Sequence, residues 1–472
     1  MVRNDKIENK NMSLFTQKRN SYDCIDKNES EHVFSFCNAY KLFIDQSKTE
    51  RLVCQETIKI SDAAGFQQYK RGQKVKPGDK LYFTNRAKSV VFAVIGLESI
   101  SKGMQIVAAH TDTPRIDLKP VPFFEDSEIL FAKTHYYGRI KKYQWVTLPL
   151  AIYGTVVRAD GTSVDIAVGK EPDDPVFWIS DLPPNLAQGQ LSKNMSEGIT
   201  GEELNIILGS LPTNANDKEI HPIKLAVMSI LNKKFGLIED DFISADLSAV
   251  PAISARDIGF DRSLIGAYGH DDRVCVYTAL QALITMKNIP RRTAICVFSD
   301  KEEIGSEGVT SMKSSYFDDF ISDLCDANNV LLREAFENSF CISADVCTAL
   351  DATYPYVSDK LNCATINGGL AVCKYTGHGG KFETSDASAE VVGKLRMILK
   401  EANIVWQLAE MGKVDQGGAG TLAKFFAQRN IDVIDAGVPI LGMHSPFEVV
   451  SKFDIYTSYK AFQAVFQSAL EK

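Results

Sequence analysis

Short apolar segments in the second half of the chain constrain its fold most strongly, because their residues do not alternate with polar ones. The segments that follow Pro251 are TAICVFSD (293–300), FCISAD (340–345), LAVCKYT (370–376) and IDVIDAG (431–437). Strands of this kind are buried on both faces, which is typical of a parallel sheet covered by helices. Helical patterns lie between and before them, in RVCVYTALQALITMK (273–287), ASAEVVGKLRMILKEA (387–402) and GTLAKFFAQR (420–429). The sequence therefore predicts an α/β fold with a mostly parallel sheet.

The beginning of the chain carries the same kind of pattern. Apolar residues at helical spacing predict a helix over 33–44, and the apolar segments VVFAVI (90–95) and QIVAA (105–109) predict buried strands. These elements can complete the sheet that the later strands begin. We therefore expect residues 1–112 and 251–472 to form one catalytic α/β domain.

Residues 113–250 have a different pattern, which predicts an antiparallel module. Asp160-Gly161 lies between IYGTVVRA and TSVDIAVG, and this combination predicts a β-hairpin. A helix is predicted over PIKLAVMSILNKKF (222–235), with proline at its start and glycine after its end. Since 472 residues exceed the usual size of one hydrophobic core, we expect residues 113–250 to be an inserted β-rich domain.

Charge, hydropathy and cysteine spacing argue against nucleic acid as a partner, against a membrane span and against export. The formal net charge of -8 argues against nucleic acid, because phosphate binding requires a basic surface. No window of the sequence has the long uncharged apolar stretch of a membrane span. The first twenty residues are polar and lack the apolar core of a signal peptide, and the ten cysteines show no CxxC spacing. We therefore expect a cytoplasmic protein with reduced thiols.

Polar side chains that can bind metals follow the predicted strands. The candidates are His110, Asp112, Asp300, Glu302, Glu303, Asp345 and His444, together with Asp271-Asp272 at the start of a predicted helix. Ligands in such sheets bind beyond the carboxyl ends of the strands. Histidine combined with carboxylate suits a hydrolytic zinc, manganese or cobalt ion, and the set is large enough for two ions if one carboxylate bridges them.

Each of these residues also has a simpler interpretation. A His-x-Asp sequence at a strand end is often a turn, Asp271-Asp272 could cap a helix, and the neighbouring Glu302 and Glu303 could lie in a solvated loop. Their coincidence at strand ends in this order favours a metal centre over these separate interpretations. Two adjacent glutamates repel each other, and a metal that one of them binds would relieve that repulsion.

Several segments of the chain resemble the M18 metalloaminopeptidases, the family that contains aspartyl aminopeptidase. The resemblance is carried by VAAHTDTPRIDLKP, GHDDRVCVYTAL, SDKEEIGSEG, ISADV, KVDQGGAGTLAKF and GMHSPFEVVSKFD, and in the inserted region by LAIYGTVVRADG and LSKNMSEGITGEELNIILGS. It implies a dinuclear zinc exopeptidase fold and removal of N-terminal residues, Asp or Glu among them, from short peptides. It also implies dimers that assemble into a dodecamer through the inserted domain.

The resemblance further implies a role for each candidate residue. Asp271 would bridge two divalent ions, most simply zinc, with manganese or cobalt as alternatives. His110 and Asp345 would complete one site, and Glu303 and His444 the other. Glu302 would be the general base and Asp112 would orient a ligating histidine. The peptide between Asp271 and Asp272 would be cis.

Substrate-binding residues are less well defined by the sequence. Lys381 and His378, in TGHGGKFETSD, are candidates for contacts with the substrate, and Lys381 could hold a substrate carboxylate. Asn185 stands where the family tends to have a histidine that reaches a neighbouring subunit's active site, so we expect the specificity pocket to depart from the family pattern at this position. His270 is expected to be structural rather than a ligand.

Two alternatives to an aminopeptidase remain open. Another dinuclear amidohydrolase, such as a carboxypeptidase or a deacylase, could use the same scaffold and metal ligands. A non-catalytic assembly protein could keep the fold, but it would be expected to have lost a ligand or the base. Every expected position is filled here, which favours an enzyme.

Overall fold

The computed structural model describes Leu14 and residues 18–213 and 221–468. The predicted absence of a signal peptide concerns a segment that lies largely outside these residues. The largest sheet has nine strands, in the spatial order β1 (Gln67–Gln68), β2 (Lys80–Asn85), β3 (Ser89–Val94), β14 (Thr293–Ser299), β4 (Met104–His110), β15 (Phe340–Ser343), β19 (Asp432–Gly437), β17 (Leu370–Cys373) and β18 (Trp406–Leu408).

The four central strands of this sheet, β14, β4, β15 and β19, run parallel. Ser299 on β14 lies opposite His110 on β4, and Ser343 on β15 lies opposite Ala108. The carboxyl ends of these strands therefore meet at one edge. Toward the sides, β3 pairs antiparallel with β2 and β14, and β17 pairs antiparallel with β19. The sheet is mostly parallel, as predicted, with antiparallel pairs that were not predicted.

Helices cover both faces of this sheet. The α-helices of the described residues are α1 (Lys27–Gln46), α2 (Glu50–Ala63), α3 (Gln188–Leu191), α4 (Pro222–Phe235), α5 (His270–Ile284), α6 (Tyr316–Asp326), α7 (Leu332–Glu337), α8 (Ala389–Glu401), α9 (Ala423–Ala427) and α10 (Lys452–Gln467). The predicted helices over 33–44 and 222–235 are confirmed as α1 and α4, whereas the helix predicted over 420–429 is reduced to α9. None of these described helices is long and apolar enough to cross a membrane.

Two apolar cores lie on the two faces of the sheet. Val107 on β4 packs into the core with α1, α5, α8 and α10, whereas its neighbour Ile106 packs into the core with α6, α7 and α9. Successive residues of a strand point to opposite faces, so a strand between two cores must be apolar at every position. This explains the non-alternating segments of the sequence.

The second sheet has seven antiparallel strands, which all come from the middle of the chain. Their spatial order is β8 (Ser163–Val168), β7 (Leu150–Val157), β11 (Ala245–Pro251), β5 (Arg115–Asp126), β6 (Ile129–Tyr137), β10 (Ile206–Gly209) and β9 (Trp178–Ile179). β7 and β8 form the predicted hairpin around Asp160-Gly161. Among the described strands, these seven pair in one sheet with no partner outside it. The domain limits at 113 and 250 stay a prediction.

A third sheet of five strands was not predicted from the sequence. Its spatial order is β12 (Arg256–Ile258), β13 (Leu264–Ala267), β21 (Glu448–Ser451), β20 (Pro439–Leu441) and β16 (Cys347–Thr348). β20 and β21 flank the turn that carries His444, and β13 ends shortly before α5 begins at His270. This small sheet therefore positions the His444 turn and the start of α5 beside the carboxyl edge of the main sheet.

Candidate metal centre

Asp271 lies at the middle of a group of imidazoles and carboxylates. Its Oδ1 lies 3.1 Å from Nε2 of His110, and its Oδ2 lies 3.1 Å from Nε2 of His444. Oδ1 of Asp345 lies 3.8 Å from Nε2 of His110, and Oε1 of Glu303 lies 3.4 Å from Nε2 of His444. The two oxygens of Asp271 thus face different histidines, each with a further carboxylate.

The backbone explains why these five residues meet. His110 is the last residue of β4, Asp345 follows the end of β15, and Glu303 lies in a short 3-10 turn after β14. Asp271 lies at the start of α5, where the peptide bond to Asp272 is cis, as the resemblance implied. His444 lies in the turn between β20 and β21, so it reaches the group from the third sheet.

Backbone carbonyls fix the orientation of both imidazoles. Nδ1 of His110 donates to the carbonyl of Asp112 at 3.0 Å, and Nδ1 of His444 donates to the carbonyl of Arg139 at 3.0 Å. A carbonyl can only accept, so the proton on each neutral ring is held at Nδ1. The Nε2 lone pairs therefore face the carboxylates, in the tautomer that a metal requires.

Asp112 connects the first histidine to the turn that carries the two glutamates. Its Oδ1 lies 3.4 Å from Nδ1 of His110, and its carboxylate accepts the backbone N–H groups of Glu302 at 3.0 Å and Glu303 at 3.1 Å. The Tyr137 hydroxyl donates to it at 2.7 Å. Asp112 is fully buried, so this one carboxylate holds three functional groups in place.

Glu448 is a buried residue of the site that the sequence analysis missed. Its Oε2 accepts the backbone N–H of Asp271 at 3.1 Å, and its Oε1 accepts the backbone N–H of His444 at 2.7 Å. Glu448 therefore ties the start of α5 to the His444 turn. The segment SPFEVVS contains one acid at the beginning of a short strand, and no sequence signal distinguishes it from an exposed strand residue.

Burial and mutual repulsion raise the pKa values of three acids of the group, whereas Asp271, although buried, has its pKa lowered by the imidazoles of His110 and His444. Burial raises the pKa of Glu302 to about 7, with the charges of Asp112 and Asp271 adding to the shift and His110 opposing it. Burial also raises the pKa values of Glu303 and Asp345 well above their usual range. A cation bound among these groups would reverse these shifts, because it favours the ionised carboxylates.

The donor set fits divalent metal ions. Potential ligand atoms of His110, Asp271 and Glu303 all lie within 4.8 Å of one another, and so do those of His110, Asp272 and Asp345. Asp271 Oδ1, Asp272 Oδ1 and Glu303 Oε1 are buried without a hydrogen-bond partner among the described residues. Such unsatisfied oxygens are costly unless a cation binds them. Asp272 was a candidate from the sequence pattern but not one of the ligands that the family resemblance implied.

The group opens into a cavity of about 470 Å³. Besides the residues above, the cavity wall includes Arg139, Lys424 and Phe425, the sulfur-containing side chains of Cys347, Cys373, Met411 and Met443, and the backbone of 417–420. Glu302 and His378 also line it. The cavity thus gives a substrate access to Glu302 and to the ligand group at once.

Of the two predicted substrate-binding residues, His378 lines the cavity and Lys381 is not among the described residues that do so. The ammonium of Lys381 pairs with Asp386 at 3.1 Å and lies over the ring of Tyr375, and its contact with a substrate stays a prediction. Asn185 is exposed on the segment between β9 and α3, so this segment is accessible to a second subunit.

Two further candidates have structural roles. His270 is buried, with Nδ1 2.7 Å from the Tyr40 hydroxyl and Nε2 3.1 Å from the carbonyl of Ile265, and burial lowers its pKa to about 3. Both ring nitrogens are therefore occupied, as expected for a structural histidine. Asp300 accepts a hydrogen bond from the Thr310 hydroxyl at 2.6 Å and is absent from the ligand groups found among the described residues.

Buried imidazoles and carboxylates at the carboxyl edge of a parallel sheet, open to a cavity, define the class of metal-dependent hydrolases. Comparison with known proteins gives the family. The family model for aminopeptidase I zinc metalloproteases (M18) matches residues 43–466. A probable M18 family aminopeptidase 1 of Borreliella afzelii is 43% identical over 458 residues, which cover 96% of this chain and 100% of the relative.

Solved structures agree with this result. The crystal structure of an M18 aminopeptidase from Thermotoga maritima superposes with a TM-score of 0.91 at 41% identity, covering 96% of this chain and 100% of that one. The S. cerevisiae mApe1 dodecamer shares the fold, with a TM-score of 0.74 at 19% identity over 93% of this chain and 97% of that one. The chain belongs to the M18 family of aminopeptidases and is a peptidase.

Proposed function

We propose that the chain is a dinuclear zinc aminopeptidase that removes single N-terminal residues from short peptides. The observation that carries this proposal is the placement of Asp271, whose two oxygens each lie 3.1 Å from a different histidine. A bridging carboxylate in a two-metal site has this placement. His110 and Asp345 would hold one ion, and Glu303 and His444 the other. Asp272 is close enough to His110 and Asp345 to assist the first site.

The ions, when bound, would lower the pKa of water and polarise the scissile carbonyl. Glu302 is the general base in this proposal: it takes a proton from the attacking water and passes it to the leaving amine. The geometry supports this role, because Glu302 lines the cavity and its backbone N–H is fixed by Asp112.

The preference for peptide N-termini has a simple electrostatic basis. The cavity wall contains the carboxylates of Glu302 and Glu383, which bind no ion in this proposal, and their charge favours a free α-ammonium over an acylated amine. An N-acylated amino acid lacks that charge. The substrate of a deacylase would therefore bind weakly in this cavity.

A preference for Asp or Glu at the N-terminus is supported by Lys424 rather than by Lys381. Lys424 lines the cavity, and its closest acid, Glu383, lies 3.8 Å away with 61% of its side chain exposed. An ion pair this long and exposed is weak, so the Lys424 ammonium is available to a substrate carboxylate. Arg139 adds a second cation to the wall.

Assembly through the seven-stranded sheet is the structural part of the proposal. Leu182, Leu186, Leu191 and Met195 are at least half exposed and all lie in the segment after β9. Clustered exposed apolar residues mark interaction sites. A dodecamer, as in the yeast fold neighbour, would bury this segment and admit short peptides. We further propose a cytoplasmic location, without nucleic acid or membrane as partners.

The experiment is a panel of amino-acid nitroanilides and N-acetyl amino acids, assayed before and after chelation, with metal content measured on the same samples. We expect cleavage of the anilides alone, about two zinc ions per active site, and loss of activity that zinc restores. Cleavage of N-acetyl amino acids instead would identify a deacylase. Lys424→Met should lower kcat/KM for acidic anilides by about tenfold or more, since a charge-assisted hydrogen bond contributes about 1.5–3 kcal/mol, and should spare apolar ones.

A further inference from the structure

Two cysteines lie in contact in the wall of the catalytic cavity, and the proposed mechanism uses neither of them. The Sγ atoms of Cys347 and Cys373 are 3.4 Å apart, and both residues line the cavity. Both are buried, with 5% and 6% of their surface exposed. All ten cysteines of the chain are free thiols, so the pair is a dithiol rather than a disulfide.

Both cysteines are held by a rigid backbone. Cys347 lies on β16, where its N–H donates to the carbonyl of Val438 at 3.0 Å. Cys373 ends β17, where it pairs with Asp435 on β19. Their side chains lie among Ala364, Ala371 and Ala409. Strand pairing on one side and small neighbours on the other keep the two sulfurs together, so the dithiol is preorganised.

We propose that Cys347 and Cys373 form a binding site for thiophilic groups that bridge two sulfurs through one atom, with monosubstituted trivalent arsenicals as the ligand class, and that occupation of this site inactivates the enzyme. Bonds from a soft metal to sulfur are about 2.3 Å long, so two sulfurs on one atom lie roughly 3.4–3.8 Å apart. The separation of 3.4 Å meets this requirement without backbone movement.

The number of protein ligands selects the ligand class. Structural zinc takes four ligands, and the two cysteines belong to none of the groups of three or more ligand residues found in the described part of the chain. An arsenical with one carbon substituent needs only two sulfurs. With phenylarsine oxide, two As–S bonds form and the As–O bond breaks. The oxygen leaves as water with both thiol protons, and arsenic stays trivalent.

The position of the site predicts inactivation. Cys347 follows Asp345 by two residues, and both line the same cavity of about 470 Å³. An apolar cavity of about 150 Å³ is sufficient to hold a benzene ring, so the phenyl group can enter. It would then occupy space that the substrate requires. Binding itself does not depend on catalysis and can be measured separately from the proposed function.

The test is intact-mass measurement of the zinc-loaded protein after incubation with phenylarsine oxide in excess 2-mercaptoethanol. A monothiol competes for arsenic held by one cysteine, but a preorganised dithiol retains it through its high effective concentration. We expect one phenylarsenic adduct per chain, activity reduced at least tenfold, and recovery of both mass and activity with dithiothreitol.

Cys347→Ala and Cys373→Ala should each lose the retained adduct, and both should keep their activity in the presence of the reagent. Cys325→Ala, a buried cysteine on α6, is the matched control and should behave like the wild type. No retained adduct in the wild type, or a retained adduct in both single variants, would overturn the site. An adduct that leaves peptidase activity intact would overturn the inactivation. Native mass and circular dichroism establish that the variants are folded.

Discussion

Glu302 and Glu303 are adjacent in sequence, yet the structure gives them different surroundings. Both line the cavity, but Oε1 of Glu303 lies 3.4 Å from Nε2 of His444, whereas Glu302 belongs to neither ligand group found among the described residues. In the proposed function, Glu303 binds metal and Glu302 acts on the substrate. This separation answers why two like charges stand side by side.

Replacement of Glu302 tests this division directly. We expect Glu302→Gln to lower kcat by roughly 10²–10⁴-fold, because general base catalysis contributes that much, while zinc content stays at the wild-type level. Steady-state kinetics and elemental analysis of the same preparation measure both quantities. Glu307→Gln is the control, since Glu307 is an exposed residue of the same loop that pairs with Lys313. Full turnover in Glu302→Gln would assign the base to another residue.

Asp454 lies outside the metal centre, and its raised pKa leads us to expect that the stability of the protein depends on pH. It is fully buried, accepts backbone N–H groups of Asn367 and Gly369, and its pKa is raised by burial to about 7. An unfolded Asp has a pKa of about 3.9, so the folded state binds the proton more tightly. The contribution to stability is complete below pH 4 and is lost as the pH rises through about 7.

We therefore expect the stability advantage of the wild type over Asp454→Asn to be larger at pH 5 than at pH 8. The difference between the two proteins in free energy of unfolding changes by at most roughly 1.4 kcal/mol per pH unit, because one proton is involved. Urea unfolding of both proteins at several pH values measures it. Asparagine does not titrate, so parallel stability profiles for the two proteins would contradict the assignment to Asp454.

At the scale of elements, Glu448, the first residue of β21, links the start of α5 to the β20–β21 turn. It accepts N–H groups from Asp271 at the start of α5 and from His444 in the β20–β21 turn. Glutamine has one acceptor oxygen where glutamate has two, so Glu448→Gln must release one of these backbone groups. We expect zinc affinity to fall by about 10–100-fold, as for other residues that orient metal ligands.

Chelator competition measures that change, and the exposed Glu401 at the end of α8 supplies the control variant, Glu401→Gln. If Glu448→Gln holds zinc as tightly as the control does, the ligands are positioned by their strands alone. The test thus separates the contribution of the third sheet from that of the main sheet.

The sequence predicted the elements whose pattern is local. The buried strands and the helices α1 and α4 follow from the spacing of apolar residues, and His110, Glu303 and Asp345 follow from the rule that ligands lie beyond strand ends. The third sheet could not be predicted, because its strands of two to four residues, such as Cys347–Thr348, are too short to show a periodicity. Glu448 was missed because its partner Asp271 is 177 positions away. Lys424 was missed because exposed and cavity-lining lysines look alike in sequence.

At the scale of the whole molecule, the segment after β9 carries several exposed apolar side chains. Leu186 is 72% exposed and Leu191 is 72% exposed in the segment after β9 of the antiparallel sheet. Both residues would be expensive to keep in water in a monomer. The catalytic α/β domain and the inserted sheet are joined through β5 and β11, so an assembly formed by the inserted sheet would set the positions of the catalytic cavities.

Leu186→Glu should disrupt this assembly, because burial of an unpaired carboxylate in an apolar interface costs several kcal/mol. We expect native mass measurement to give twelve chains for the wild type and smaller species for the variant. Leu97→Glu places the same charge on a residue that is 63% exposed in the loop after β3, and it should leave the assembly intact. A wild-type mass of one chain would exclude assembly. Equal masses for the wild type and both variants would place the interface elsewhere, so that the exposed leucines after β9 would need another partner.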